Sequence, residues 1–171
     1  LDSVIAFNIL HKKYNKIKFY IIGPIDKSDR IYLELNKYIL NNNLENYVLF
    51  LGAKPSFEIP GYLQNAIGLI MTPSKKFTSG GFPTKLGEYL ASGTPVITTK
   101  VSEITNYLSS ENSFLVEPGN TEEIYSKMSF IVEKPNLAET VGKNGKIIAE
   151  SIFGAKKYIT EMEHFIFNKK Y

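Results

Sequence analysis

The feature that most constrains the fold is a regular alternation of short apolar runs with segments of helical periodicity. Glycine, proline or asparagine bounds most of these runs, as is typical of the ends of strands and helices. Buried strands alternating with helices predict a parallel sheet covered on both faces. Right-handed crossovers leave a doubly wound, Rossmann-like α/β fold as the simplest topology. The predicted strands are 18–22, 47–51, 67–71, 96–99 and 114–116.

The intervening segments predict helices. In the first of them Val4, Phe7, Leu10 and Tyr14 recur at intervals of three and four residues, which is the pattern of an amphipathic helix. A short helix is expected to follow the glycines at 80–81. The other predictions are a helix over 31–39, a brief helix or pair of turns over 57–64 broken by Pro60 and Gly61, a helix near 103–108, and helical structure from 120 almost to Tyr171.

Composition narrows the class of protein. The 171 residues, 43% of them hydrophobic, contain no repeat and no linker, so one domain over 1–171 is expected. A net charge of +3 gives no support for binding nucleic acid. Cysteine is absent, which excludes disulfides and thiolate metal sites and suits a reducing cytoplasm. No His, Asp and Glu cluster has metal-ligand spacing, and no apolar run is long enough to span a membrane.

The most informative motif lies between residues 80 and 97. Gly80 and Gly81 precede a helix whose first backbone N–H groups are free to meet a phosphate. Glu88 follows Thr84 by four residues and therefore lies on the same helical face, where its carboxylate could accept hydrogen bonds from sugar hydroxyls. A phosphate site next to a ribose site suggests a nucleotide.

This run resembles the signature of retaining nucleotide-sugar glycosyltransferases of family 4, the GT-B enzymes also called glycosyl transferases group 1. Their pattern is Glu-x-Phe-Gly/Pro-x-x-x-x-Glu, followed by a helix end of small residues and Gly-x-Pro-Val. This chain has Gly80 where the first glutamate is usual, and further similarity lies at 21–23 and 114–119. The matching residues are Phe82, Pro83, Glu88, Ala91, Gly93, Pro95 and Val96.

The resemblance implies which residues bind the donor. Glu88 is expected to contact the ribose, the helix amides and Lys85 the diphosphate, and Phe82 to fix the loop by packing. For Thr84, capping of the helix and contact with the ligand stay equally open. At Gly80 another residue or water fills the place of the glutamate, or the donor differs in shape, or transfer is weakened. The donor-binding residues are Gly80, Gly81, Phe82, Thr84, Lys85 and Glu88.

The resemblance also implies the activity. The chain is expected to be the C-terminal half of a GT-B hexosyltransferase that transfers a sugar from a nucleoside diphosphate to a hydroxyl acceptor, without metal or cofactor. The N-terminal acceptor domain and a diphosphate-binding lysine/arginine pair would precede Leu1, so the isolated domain is expected to be inactive. The helix over 152–171 would cross back to the acceptor domain. Polysaccharide synthesis in the cytoplasm, at the inner face of the membrane, is the expected setting.

Two other functions stay open. A binding module that has lost its transfer chemistry is motivated by Gly80. A GT-B sugar-nucleotide epimerase is the other, although the acid and base residues that such enzymes need are not visible in the sequence.

Overall fold

The structure, a computed structural model, describes residues 1–76 and 81–167, with only the backbone described at 155–157, 160 and 161. It consists of short strands separated by helices. The strands are β1 (Phe19–Ile22), β2 (Val48–Gly52), β3 (Leu69–Met71), β4 (Val96–Thr99) and β5 (Phe114–Val116). The helices are α1 (Asp2–Lys13), α2 (Arg30–Asn41), α3 (Ile59–Asn65), α4 (Thr84–Ala91), α5 (Ile104–Tyr107), α6 (Thr121–Glu133), α7 (Pro135–Ile148) and α8 (Ala155–Phe167), with a π-helical turn at Ala149–Phe153.

Every strand pairing is parallel. β1 pairs with β2, with Phe19 opposite Val48. β4 lies between β3 and β5, so that Ile97 has Ile70 on one side and Phe114 on the other. The described strands therefore form two parallel ladders, β1–β2 and β3–β4–β5. This arrangement confirms the α/β, Rossmann-like fold expected from the sequence.

The sheet separates two hydrophobic cores. Successive side chains of a strand point to opposite faces, so adjacent residues of β4 enter different cores. Ile97 packs in the core beneath α1 and α6, and Val96 packs in the core beneath α4 and α5. The first core includes Val4, Phe7, Leu10, Val48, Phe114, Val116, Ile124, Met128 and Ile131, and the second includes Leu63, Leu69, Leu86, Leu90, Val101, Ile104 and Leu108.

Two helical segments differ from expectation. α3 runs through Pro60 and Gly61 instead of breaking there. Pro60 lies in the first turn, where an N–H group has no intrahelical acceptor to lose and the fixed φ of proline suits the helix. The C-terminal helical region divides into α6, α7, the π-helical turn and α8, and residues 168–171 lie outside the described part. The crossing of the 152–171 helix to a partner domain stays a prediction.

Candidate functional site

A cleft of about 600 Å³ opens where β1 and β2 end and α4 begins. Its volume is that of a small-molecule site. Ligands of doubly wound folds bind outside the carboxyl ends of the strands, which is the edge on which this cleft lies. The lining residues are Ile22, Gly23, Pro24, Ala53, Lys54, Ser56, Ile59, Pro60, Leu63, Gln64, Lys85, Glu88, Ala91 and Ser92.

The structure brings Lys85 and Glu88 together on the cleft side of α4. They are one helical turn apart, and both side chains are exposed. Within the described residues neither has a hydrogen bond or an ion pair through its side chain, so the Lys85–Glu88 pair that a surface helix would allow does not form. Burial and, second, the charge of Glu88 raise the pKa of the neighbouring Tyr89 phenol. One cation and one anion are thus available to a ligand.

The beginning of α4 differs from those of α2 and α6. Asp29 caps α2 by accepting the Ile31 N–H at 2.6 Å, and Asn120 caps α6 by accepting the Glu123 N–H at 3.0 Å. At α4 the N-cap is Pro83, which offers no side-chain acceptor. Helix geometry leaves the N–H groups of the first turn without intrahelical partners. Among the described residues, the first amides of α4, at Thr84 and Lys85, therefore remain available to an anion.

The loop before α4 is a sharp turn. Gly81 has a φ of +67°, a left-handed conformation that glycine adopts without strain. A Cβ at this position would lie 3.8 Å from Oε2 of Glu103, so the Glu103 carboxylate stands beside the turn. Glu103 follows Ser102, which has a φ of +49°. Gly80 lies outside the described residues.

Phe82 points into an aromatic cluster rather than into the cleft. Its ring stacks on Phe153 with centroids 4.4 Å apart and meets Tyr107 edge to face at 5.6 Å. The loop before α4 is thereby tied to α5 and to the π-helical turn. Neither Phe82 nor the exposed Thr84 is among the cleft-lining residues. Phe82 thus packs against neighbouring rings, and its part in donor binding stays a prediction.

Several lining residues were not singled out from the sequence. Ser56 and Gln64 face the cleft from the loop before α3 and from α3 itself, a segment whose helix was interpreted as broken. Lys54, by contrast, is marked by the sequence, because it follows the Gly52 turn at the carboxyl end of a predicted strand, the edge at which ligands bind. It lines the cleft, with its ammonium 5.9 Å from the ring centroid of Tyr62.

The described residues contain no group of three or more His, Asp or Glu side chains placed to hold a metal ion. In the same part of the chain, none of the helices has the length and apolar character needed to cross a bilayer.

Comparison with known proteins identifies the family. Residues 2–147 match the family described as "Glycosyl transferases group 1". The chain belongs to this family. It is 26% identical over 170 residues to "Capsular polysaccharide biosynthesis glycosyltransferase CapM" of Staphylococcus aureus, with 95% of this chain and 40% of that relative covered. The chain thus spans about two fifths of the length of this relative.

Two solved structures share the fold of this chain. Anabaena Alr3699/HepE, in complex with UDP and glucose, superposes with a TM-score of 0.78 at 19% identity, covering 98% of this chain and 44% of that one. The C-terminal domain of the glycosyl transferase group 1 protein LpcC from Francisella tularensis has a TM-score of 0.78 at 24% identity, covering 90% of this chain and 79% of that domain. These likenesses show that the chain shares its fold with both structures.

Proposed function

We propose that this domain binds a nucleoside-diphosphate sugar for a retaining, metal-independent hexosyltransferase. The proposal depends mainly on Lys85 and Glu88, which line the same cleft and have no side-chain partner among the described residues. The cleft lies at the carboxyl ends of the strands in a chain of the group 1 family. Two features support it further: the uncapped start of α4, and the structural neighbour HepE, which holds UDP and glucose. Glu88 accepts hydrogen bonds from the ribose hydroxyls, and Lys85 with the first amides of α4 binds the diphosphate.

This arrangement has a direct chemical consequence. During transfer the bond between the sugar C1 and the diphosphate oxygen breaks, and its electron pair leaves with the diphosphate. The acceptor hydroxyl forms the new C1–O bond and releases its proton. Amides and a lysine aimed at the departing oxygens stabilise the charge that grows in the transition state. The protein thereby lowers the barrier electrostatically.

The proposal extends to the whole protein. The chain covers 40% of CapM, so we infer that a second, acceptor-binding domain completes the enzyme. Helix α8, which exposes Met162, Phe165 and Ile166, is proposed to cross to that domain, where these side chains would be covered. A hydroxyl of a growing polysaccharide, met in the cytoplasm at the inner membrane face, is the proposed acceptor, by analogy with the named role of CapM.

Titration calorimetry of the 171-residue chain with UDP, GDP and ADP and with their sugar conjugates tests the binding role. Glu88→Ala should weaken nucleoside-diphosphate binding by about 1–3 kcal/mol, the range for a hydrogen bond to a charged group. Glu34→Ala is the matched control, because Glu34 is an exposed helix carboxylate outside the cleft, without a side-chain partner in the described part of the chain. Equal affinities of the two variants would refute the ribose role of Glu88.

Gly80 supports a second candidate, a nucleotide-sugar-binding module without transfer chemistry, since it replaces the glutamate usual in the motif. Assay of the longer parent protein with a panel of nucleotide sugars and saccharide acceptors separates the two. Glycosidic product supports the transferase. Binding without product in every combination supports the module. The 171-residue chain alone is expected to give no product in either case.

A further inference from the structure

The turn before α4 has an open space beside it, bordered by a carboxylate. Apart from the chain neighbours of Gly81, one described atom lies within 4 Å of the place that a Cβ would take there, and it is Oε2 of Glu103, at 3.8 Å. The φ of +67° at Gly81 also disfavours any side chain. In the described part of the chain, a ligand group placed beside this turn would therefore meet Glu103.

Packing holds the backbone of Glu103 beside the turn. Val101 and Ile104, which flank Glu103 in the chain, are buried in the core beneath α4 and α5. Tyr107, four residues after Glu103, meets the ring of Phe82 in the loop before α4. Glu103 itself is exposed, so its side chain lies at the surface on a segment that is anchored on both sides.

The Glu103 carboxylate is not used by the fold, as far as the described residues extend. Its side chain forms no hydrogen bond and no ion pair with them, and it does not cap α5 although Glu103 is the N-cap residue. The lysine nearest in sequence, Lys100, pairs instead with Glu117 at 2.8 Å. An ionised carboxylate only accepts hydrogen bonds, and hydroxyl groups are suitable donors. Glu103 is therefore available to a ligand that has hydroxyl groups.

The position of Glu103 relative to α4 indicates which part of a ligand it would meet, an argument that rests on the proposed function. With a rise of 1.5 Å per residue, Glu88 lies about 6 Å further along the helix axis than Thr84. A nucleotide with its ribose at Glu88 and its diphosphate at the first amides thus runs along α4 towards the helix start. The group attached to the diphosphate then lies beyond the start, beside the turn at Gly81.

We propose that Glu103 binds hydroxyl groups of the donor sugar. It thereby supplies, from the segment that leads into α5, a carboxylate in a chain that has Gly80 where the motif usually has glutamate. The role sets a specificity as well as an affinity. The charge of Glu103 favours a neutral hexose over a hexuronic acid, because it would repel the carboxylate of the acid.

The test compares each nucleoside diphosphate with its sugar conjugate on the 171-residue chain. The pairs are UDP with UDP-glucose, GDP with GDP-mannose and ADP with ADP-glucose, measured by titration calorimetry and by saturation-transfer NMR. For the pair that binds, Glu103→Ala should raise the Kd of the conjugate by about tenfold or more, the effect of a lost hydrogen bond to a charged group. The Kd of the diphosphate alone should not rise. Saturation transfer to the sugar protons should fall while transfer to the nucleoside protons persists.

Two further variants separate a sugar contact from a structural effect. Glu111→Ala is the matched control, because Glu111 is an exposed carboxylate in the loop after α5 whose side chain pairs with none of the described residues. It should leave the Kd of both ligands unchanged. Glu103→Gln keeps one acceptor oxygen at the same place, so its loss should be smaller than that of Glu103→Ala. Equal losses for the diphosphate and its conjugate, or a conjugate Kd equal to that of Glu111→Ala, would overturn the proposal.

The specificity is tested with UDP-glucuronic acid beside UDP-glucose, or with the uronic acid conjugate of whichever base binds. The unchanged protein should prefer the neutral sugar, and Glu103→Ala should reduce this preference by about tenfold. A preference that Glu103→Ala leaves unchanged would contradict the selection of neutral sugars.

Failure of this inference and failure of the proposed function give different results. Binding of none of the three diphosphates, or binding that Glu88→Ala does not weaken, would refute the nucleotide site and the role of Glu103 with it. Diphosphate binding that Glu88→Ala weakens, without saturation transfer to the sugar protons in the unchanged protein, would overturn the role of Glu103 alone.

Discussion

Lys85 and Glu88 share one face of α4 but are expected to hold different parts of the ligand. Lys85 lies in the first turn, where a cation opposes the helix dipole, and a bound diphosphate would offset this repulsion. Lys85→Ala should therefore weaken nucleoside-diphosphate binding by about 1 kcal/mol, with less effect at high salt, and leave nucleoside binding unchanged. Glu88→Ala should weaken both.

Titration calorimetry with uridine and UDP, at low and high salt, measures this difference. Lys37→Ala is the matched control, because Lys37 is an exposed helix lysine outside the cleft that pairs with none of the described side chains. A loss of uridine affinity in Lys85→Ala equal to its loss of UDP affinity would assign Lys85 to the nucleoside and contradict the diphosphate role.

Site residues that belong to one short motif can be predicted from the sequence more easily than site residues that come from distant parts of the chain. The spacing of Lys85 and Glu88 on a helix could be read directly, because both belong to one turn. The contributions of Ser56 and Gln64 could not, because they depend on how α3 packs across the cleft from α4. The approach of Glu103 to Gly81 likewise depends on tertiary structure.

Helix α7 packs unusually close to the turn that ends α4. A Cβ on Gly142 would lie against the carbonyl oxygen of Gly93 and 2.8 Å from the backbone nitrogen of Pro95. Gly142→Ala is therefore expected to destabilise the domain by about 1–3 kcal/mol from overlap. The gain in helix propensity is at most about 1 kcal/mol, so the overlap dominates.

Urea unfolding of Gly142→Ala and Gly61→Ala tests this packing. Gly61 is also helical, and a Cβ there would have no atom within 4 Å, so its replacement should be neutral or stabilise the domain by up to about 1 kcal/mol. A Gly142→Ala midpoint equal to or above that of Gly61→Ala would show that α7 can move away from the turn at little cost.

Elements were predictable where local signals agree with tertiary structure. β4 and β5 have the predicted bounds because each is an apolar run ended by clear turn residues. The predicted break in α3 was wrong because the effect of proline depends on its place in the helix, and Pro60 lies in the first turn. The division of the described strands into two ladders has no local signature, because strand neighbours depend on how the helices pack.

At the scale of the whole molecule, a polar cluster joins the end of α1 to the end of α6, about 120 residues later in the chain. Glu133, at the end of α6, accepts hydrogen bonds from Lys13 Nζ at 2.7 Å and from the Tyr14 hydroxyl at 2.6 Å, at the end of α1. These bonds, Lys13 first, lower the pKa of Glu133 in the folded protein. The same two helices pack together over the core that contains Ile97, so the cluster adds a polar contact to this apolar one.

The lowered pKa has a definite sign for stability. A carboxylate with a lower pKa in the folded state stabilises that state above its unfolded pKa, and the contribution is lost as the pH falls through the folded value. The thermal unfolding temperatures of the protein and of the Glu133→Gln variant should therefore differ more at about pH 6 than at about pH 3. The difference should be smaller at high salt, because the cluster is exposed. Glu45→Gln is the control, because Glu45 is an exposed carboxylate without a partner among the described residues. The unfolding temperature of this variant should differ from that of the unchanged protein by the same amount at both pH values. If Glu133→Gln instead follows the Glu45 variant across this range, the contact of α1 with α6 depends on Phe7, Leu10 and their apolar neighbours alone.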